Sequence, residues 1–143
     1  SSITRLVNMG TPNYLISAAL TLIMAQRLAR KSCLDCRVID ENITPKLLNS
    51  IGFLPEQSSR AKIYKGTGCE ECSGTGYKGR MGIYEILEID NELKAGILSN
   101  LQQTELNAIA KKNGFRTMQD MGQDLLLSGD LSFAEYERVL QSN

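Results

Sequence analysis

The chain has 143 residues, 42% hydrophobic and 22% charged, values that allow one domain or a few small subdomains with a buried core and exclude wholesale disorder. Sixteen basic residues balance sixteen acidic ones, so the overall field that would draw in a nucleic-acid backbone is missing and no nucleic-acid partner is expected. The sequence has no histidine, which removes the commonest general base and any Ser-His or Cys-His nucleophile pair.

In chain order, Ile3, Leu6 and Val7 mark a short helix that Gly10 stops. The chain starts in this helix and without a methionine, so a longer parent polypeptide is expected. Ser1 to Arg5 is not a secretory signal, and no apolar run reaches the ~18 residues a bilayer span needs, so a cytoplasmic location is expected. Thr11 and Pro12 read as N-cap and first position of a second helix carrying Leu15, Ile16, Ala19 and Leu20. Ile23 to Ala29 extends that helix or forms a strand, and periodicity alone leaves both open. From Cys33 to Gly79 the composition is loop-rich, as in a metal-held insertion with little core of its own. Arg80 to Ile89, apolar with β-branched and aromatic residues, reads as a buried strand. Four helical patterns follow Asp90 and are expected to form a small bundle. They are marked by Leu93 and Ile97, by Leu106 and Ile109 ahead of Gly114, by Thr117 to Gly129, and by Ser132 with Glu135 in a capping-box position.

Cys33, Cys36, Cys69 and Cys72 form two Cys-x-x-Cys pairs. Two residues between thiols let one tight turn aim both sulfurs at a point about 2.3 Å away, and two such turns complete a tetrahedron around zinc. Disulfides are disfavoured in a cytosolic chain, and a redox pair has no need of a duplicate. An iron–sulfur cluster stays open, because it too takes cysteine-only ligation. Structural Zn2+ is the reading preferred, with no open coordination position for metal catalysis. Removal of the ion is expected to unfold Cys33 to Gly79. The 32 residues between the pairs exceed the usual spacing of roughly 15 to 20, so the intervening chain must make an excursion.

Gly74-Thr75-Gly76-Tyr77-Lys78-Gly79 matches the dinucleotide pattern GxGxxG but follows a cysteine knuckle and precedes a strand, where that pattern must follow a strand and open a helix. The glycines are expected to provide positive φ in turns around the metal. The same stretch fails as a phosphate-binding loop, since Arg80 and Met81 stand where Lys and Ser or Thr are required.

Several segments together resemble the hexameric secretion ATPases, most closely the branch that assembles type IV pili, with the type II secretion branch as its cousin. They are Ile3-Thr4-Arg5-Leu6-Val7-Asn8-Met9-Gly10, Ala25-Gln26-Arg27-Leu28-Ala29-Arg30-Lys31, both cysteine pairs, and Gly76-Tyr77-Lys78-Gly79-Arg80 followed by Gly82-Ile83-Tyr84-Glu85. The resemblance implies an α/β fold: the C-terminal end of a RecA-like ATPase core at 1–32, a tetracysteine zinc insertion at 33–76, a returning core strand at 77–89 and a helical C-terminal subdomain at 90–143. It also implies a homohexameric parent that couples ATP and Mg2+ to pilin addition through an inner-membrane platform protein, and so a place at the cytoplasmic face of that membrane. Arg80 would serve the nucleotide or subunit interface. The phosphate-binding loop would lie outside these residues, so the chain alone is expected not to hydrolyse ATP. The rival class is a zinc-dependent protein-binding module: Cys69 to Gly76 reads CxxCxGxG, the knuckle of the DnaJ-type chaperone zinc domain, but that domain uses four such repeats.

Overall fold

A computed structural model describes residues 2–141. The chain divides into two compact units, one of residues 1–25 and 85–117, the other of 26–84 and 118–143. Among the described residues no helix is long and apolar enough to cross a membrane.

The first unit contains α1 (Ser2–Asn8), α2 (Asn13–Ala19), α5 (Asn91–Leu98) and α6 (Gln103–Lys112). Gly10, at φ +89°, ends α1, and the Thr11 amide reaches back to the Leu6 carbonyl. That bond closes α1 in a Schellman-type turn. Thr11 is therefore not the cap of α2, as the sequence leads one to expect: Pro12 occupies that position with no side-chain cap. Asp90 caps α5, its carboxylate accepting from the Leu93 amide at 2.8 Å. Ile3, Ile16, Ile89, Leu93, Ile97 and Ala110 form this unit's core.

The open stretch after α2 is a strand. β1 (Leu22–Ser32) pairs with β4 (Tyr77–Glu88), longer than the run from Arg80 that the sequence marks. Thr21 accepts from the Ile89 amide and Gly76 from the Cys33 amide, so the strands run in opposite directions.

In the second unit, the segment between the cysteine pairs is not the coreless loop expected. It holds β2 (Arg37–Ile39), α3 (Pro45–Ser50), α4 (Pro55–Arg60) and β3 (Tyr64–Gly66). Both helices carry Pro at their first position, and Thr44 caps α3 by accepting from the Leu47 amide. Leu48, Phe53 and Ile63 are buried with Ala29, Ile83 and residues of α7 (Met118–Ser128), α8 (Phe133–Tyr136) and the π-helical turn Glu137–Gln141. Fully burying each such side chain is worth about 1.5–3 kcal/mol, so this segment is anchored by packing as well as by its cysteines. The four C-terminal helices thus do not form one bundle: α5 and α6 bury their apolar faces in the first unit, and α7 and α8 bury theirs in the second.

Candidate metal centre

The cysteines lie where two strand pairs meet. Cys33 follows β1 directly and Cys36 precedes β2; Cys69 follows β3, and Cys72 lies shortly before β4. β2 and β3 are antiparallel with Arg37 opposite Gly66 and Ile39 opposite Tyr64. This register returns the chain to its starting point after the 32-residue excursion and sets Thr67 beside Cys36, its amide donating to the Cys36 carbonyl, two residues before Cys69. Close backbone approach is required here: a Cβ on Gly66 would sit 2.0 Å from the Gly76 carbonyl oxygen. Only glycine fits at that crossing.

The four Sγ atoms lie within 4.8 Å of one another. Cys33 to Cys69 is 3.7 Å, Cys36 to Cys72 is 3.8 Å and Cys69 to Cys72 is 3.7 Å, and all four thiols are free of disulfides. Sulfurs at tetrahedral corners about 2.3 Å from one ion are about 3.8 Å apart, so the donor set fits a single closed metal site. When bound, such an ion supplies cross-linking and no reactive position.

Backbone amides complete the cradle. Gly68 donates to the Cys36 sulfur at 3.3 Å, and Cys69 and Gly76 donate to the Cys72 sulfur at 3.1 and 3.2 Å. Burial alone would push the Cys72 thiol up, but these two amides and the neighbouring thiols favour the thiolate and bring it down to about 6. Cys69 is pushed up to about 11: a backbone hydrogen bond at Cys72 pulls it down, and burial with hydrogen bonds to the other three thiols outweighs that. A cation binds such thiols in their deprotonated form, so binding releases their protons.

Gly74, Gly76 and Gly79 have φ of +78°, +81° and +81°. The GxGxxG stretch therefore forms the knuckle turn and the entry into β4, as the positive-φ reading expects, and opens no helix. Arg80 is exposed on β4, beside a cavity of about 540 Å³ shared with Leu28, Arg30, Tyr77 and Arg138.

One arrangement was not legible as such in the sequence. Ser132 caps α8 through the Glu135 amide, but the Glu135 carboxylate does not return to complete a capping box. It is 1% exposed and accepts from Arg138 Nε and Nη2 at 2.7 and 2.8 Å, from Arg30 Nε and Nη2 at 3.0 and 2.7 Å, and from the Arg30 amide at 2.8 Å. The Arg138 hydrogen bonds, with those of Arg30 and against the cost of burial, hold the Glu135 carboxyl at about 2. The spacing of Glu135 and Arg138 is visible in the sequence, whereas Arg30 lies 105 positions away.

Residues 1–138 match the family model described as "Type II/IV secretion system protein". The type IV pilus assembly ATPase PilB of Thermus thermophilus is 39% identical over 134 residues, which is 94% of this chain and 15% of that protein. PilB of Pseudomonas aeruginosa is 36% identical over 96% of this chain and 24% of its own length. The type II secretion system protein HxcR of the same organism is 30% identical over 97% of this chain and 25% of its length. The chain thus spans a quarter or less of these curated relatives. With residues 1–138 inside one family model, the chain belongs to the type II/IV secretion system protein family.

Proposed function

We propose that these 143 residues serve as the C-terminal part of a hexameric cytoplasmic ATPase that powers type IV pilus assembly, acting on an inner-membrane platform protein. The observation that carries this reading is similarity, at 39% and 36% identity, to proteins named as type IV pilus assembly ATPases. In this reading β1 and β4 with α1 and α2 are the last elements of a RecA-like core. The phosphate-binding loop and Mg2+-binding carboxylates are supplied by polypeptide outside these residues, and the four cysteines hold zinc. Sulfur separations near 3.7 Å favour one ion over a cluster, in which the four thiolates would be spread over two or more irons. Arg80, on the exposed side of β4, is assigned to an interface of the assembled ATPase.

A second reading is secretion, supported by HxcR at 30% and by the type II secretion system protein E of Aeromonas hydrophila at 32% identity. Deleting the gene in its host separates the two. Loss of surface pili with normal exoprotein release is expected. Loss of exoprotein release with pili intact would move the assignment to secretion, and no change in either would overturn both.

A further inference from the structure

The cavity beside Arg80 has a charge that the packing around it does not consume. Among the described residues its lining contains three guanidinium groups, of Arg30, Arg80 and Arg138, and no carboxylate side chain. Arg30 and Arg138 converge on the single carboxylate of Glu135, yet their side chains remain 48% and 54% exposed. Arg80 is exposed and enters no ion pair or hydrogen bond among the described residues. Arg80 therefore adds a positive charge with no acidic partner among the described residues, next to the half-exposed side chains of Arg30 and Leu28.

The geometry points to this groove as a docking site for an acidic segment of a partner protein, its Asp or Glu carboxylates meeting the arginine forks and an apolar residue covering Leu28. Planar guanidinia match carboxylates bidentately, and a volume of about 540 Å³ accommodates a few side chains. A nucleotide fits less well. The Tyr77 ring, which could stack a base, already carries the Arg30 guanidinium 4.1 Å from its centre. The Thr75 hydroxyl is held by the Cys72 and Tyr77 backbone. Arg30 is fixed in place by Glu135 beneath it, so the site is organised before a ligand arrives. This inference gives chemistry to what Arg80 meets and does not depend on the pilus reading, since it is tested by binding alone.

The test uses the whole chain with a fluorescein-labelled decapeptide of Asp and Glu around one Leu, and with its Asn and Gln counterpart. Fluorescence anisotropy is expected to show saturable binding of the acidic peptide only, weakening as salt rises because the arginines are exposed. Amide signals of Thr75, Tyr77, Gly79 and Arg80 are expected to move on titration of the wild-type chain, a readout that needs no variant. Arg80→Ala, which removes an unpaired exposed side chain, is expected to weaken binding about threefold or more, within the range for one exposed charge pair, and Arg80→Glu to abolish it. Equal binding of the Asn and Gln peptide, shifts confined to other residues, or undiminished binding by Arg80→Glu would overturn the proposal. So would ATP or inorganic phosphate moving these amides while the acidic peptide does not.

Discussion

The unit containing α1, α2, α5 and α6 closes around Ile3, Ile16, Leu93 and Ile97, and among its described residues it buries no charge and holds no cysteine. The unit formed around α7 and α8 also has an apolar core, but adds a four-thiol cluster and a carboxylate 1% exposed between two arginines. The difference follows from chain path. In the first unit the buried residues recur at helical spacing on four short helices, so one apolar stripe per helix suffices. The second must hold two knuckles and a 32-residue excursion in one register, which apolar contacts specify poorly and directional ligands specify well.

Removing the metal should break this comparison most strongly. Structural zinc binds small peptides with an apparent free energy of about 10–16 kcal/mol near neutral pH, far above any single contact in the first unit. Elemental analysis is expected to give one zinc per chain, and acid should release it because the thiols must be deprotonated to bind. After chelation, backbone NMR should show Cys33 to Ile39 and Tyr64 to Tyr77 losing their native positions, while amides of α1, α2, α5 and α6 stay unchanged. Leu48, Phe53 and Ile63 lie in the core with Leu126 and Tyr136, so α3 and α4 should stay attached. Collapse is thus narrower than the whole of Cys33 to Gly79. A metal content near zero in reduced protein, or knuckles that stay ordered without metal, would contradict this.

Phe53→Ala probes that apolar anchor separately. Phe53 is 4% exposed, and truncating a buried Phe costs about 3–5 kcal/mol. With zinc bound, hydrogen exchange should rise in α3, α4 and α7 while the metal content stays at one. Loss of the ion in this variant would mean that the core, and not the register of β2 and β3, positions the thiols.

The legible part of this molecule is local. Two Cys-x-x-Cys pairs announce a metal because each is a complete half-site within four residues, and Gly10, Gly114 and Asp90 mark helix ends because capping acts over three or four residues. Thr44-Pro45 and Leu54-Pro55 carried an equally local signal for α3 and α4, outweighed by the loop-rich composition around them. What could not be read is partnership at a distance. Glu135 three residues after Ser132 looks like a capping box until Arg30 arrives from β1, and helices adjacent in sequence look like one bundle until α7 and α8 are seen to share their core with Leu48 and Ile63.

Glu135 gives the next smaller effect. Its carboxyl is held at about 2 against an ordinary 4.5, so its contribution is fully present above about pH 4.5 and is lost as pH falls toward 2. The shift corresponds to about 3 kcal/mol at most, less after screening, since Arg30 and Arg138 are half exposed. Comparing wild type with Glu135→Gln cancels the acid sensitivity of the thiols common to both. The difference in unfolding free energy should be largest near neutral pH and vanish toward pH 2. A difference independent of pH would mean that shape, not charge, makes Glu135 matter.

The smallest effect uses the same device in both units. Asp90 caps α5 by accepting from the Leu93 amide at 2.8 Å, and its other oxygen accepts from Asn113 Nδ2 at 2.9 Å. Ser132 caps α8 by accepting from the Glu135 amide at 3.2 Å and shares a hydrogen bond with the Tyr77 hydroxyl. Losing either cap should cost about 1 kcal/mol, because one backbone amide is left to water in each case. Where that cost is felt should differ. Asp90→Ala should speed exchange in α5 and α6 and leave the knuckles alone, and Asp90→Asn, which keeps an acceptor, should recover most of the loss. Ser132→Ala should act on α8 and the Arg30–Glu135 contact, with no effect on α5. Equal changes in both units from either substitution would mean that the chain unfolds as one cooperative body, and the separate cores would then not be separate in energy.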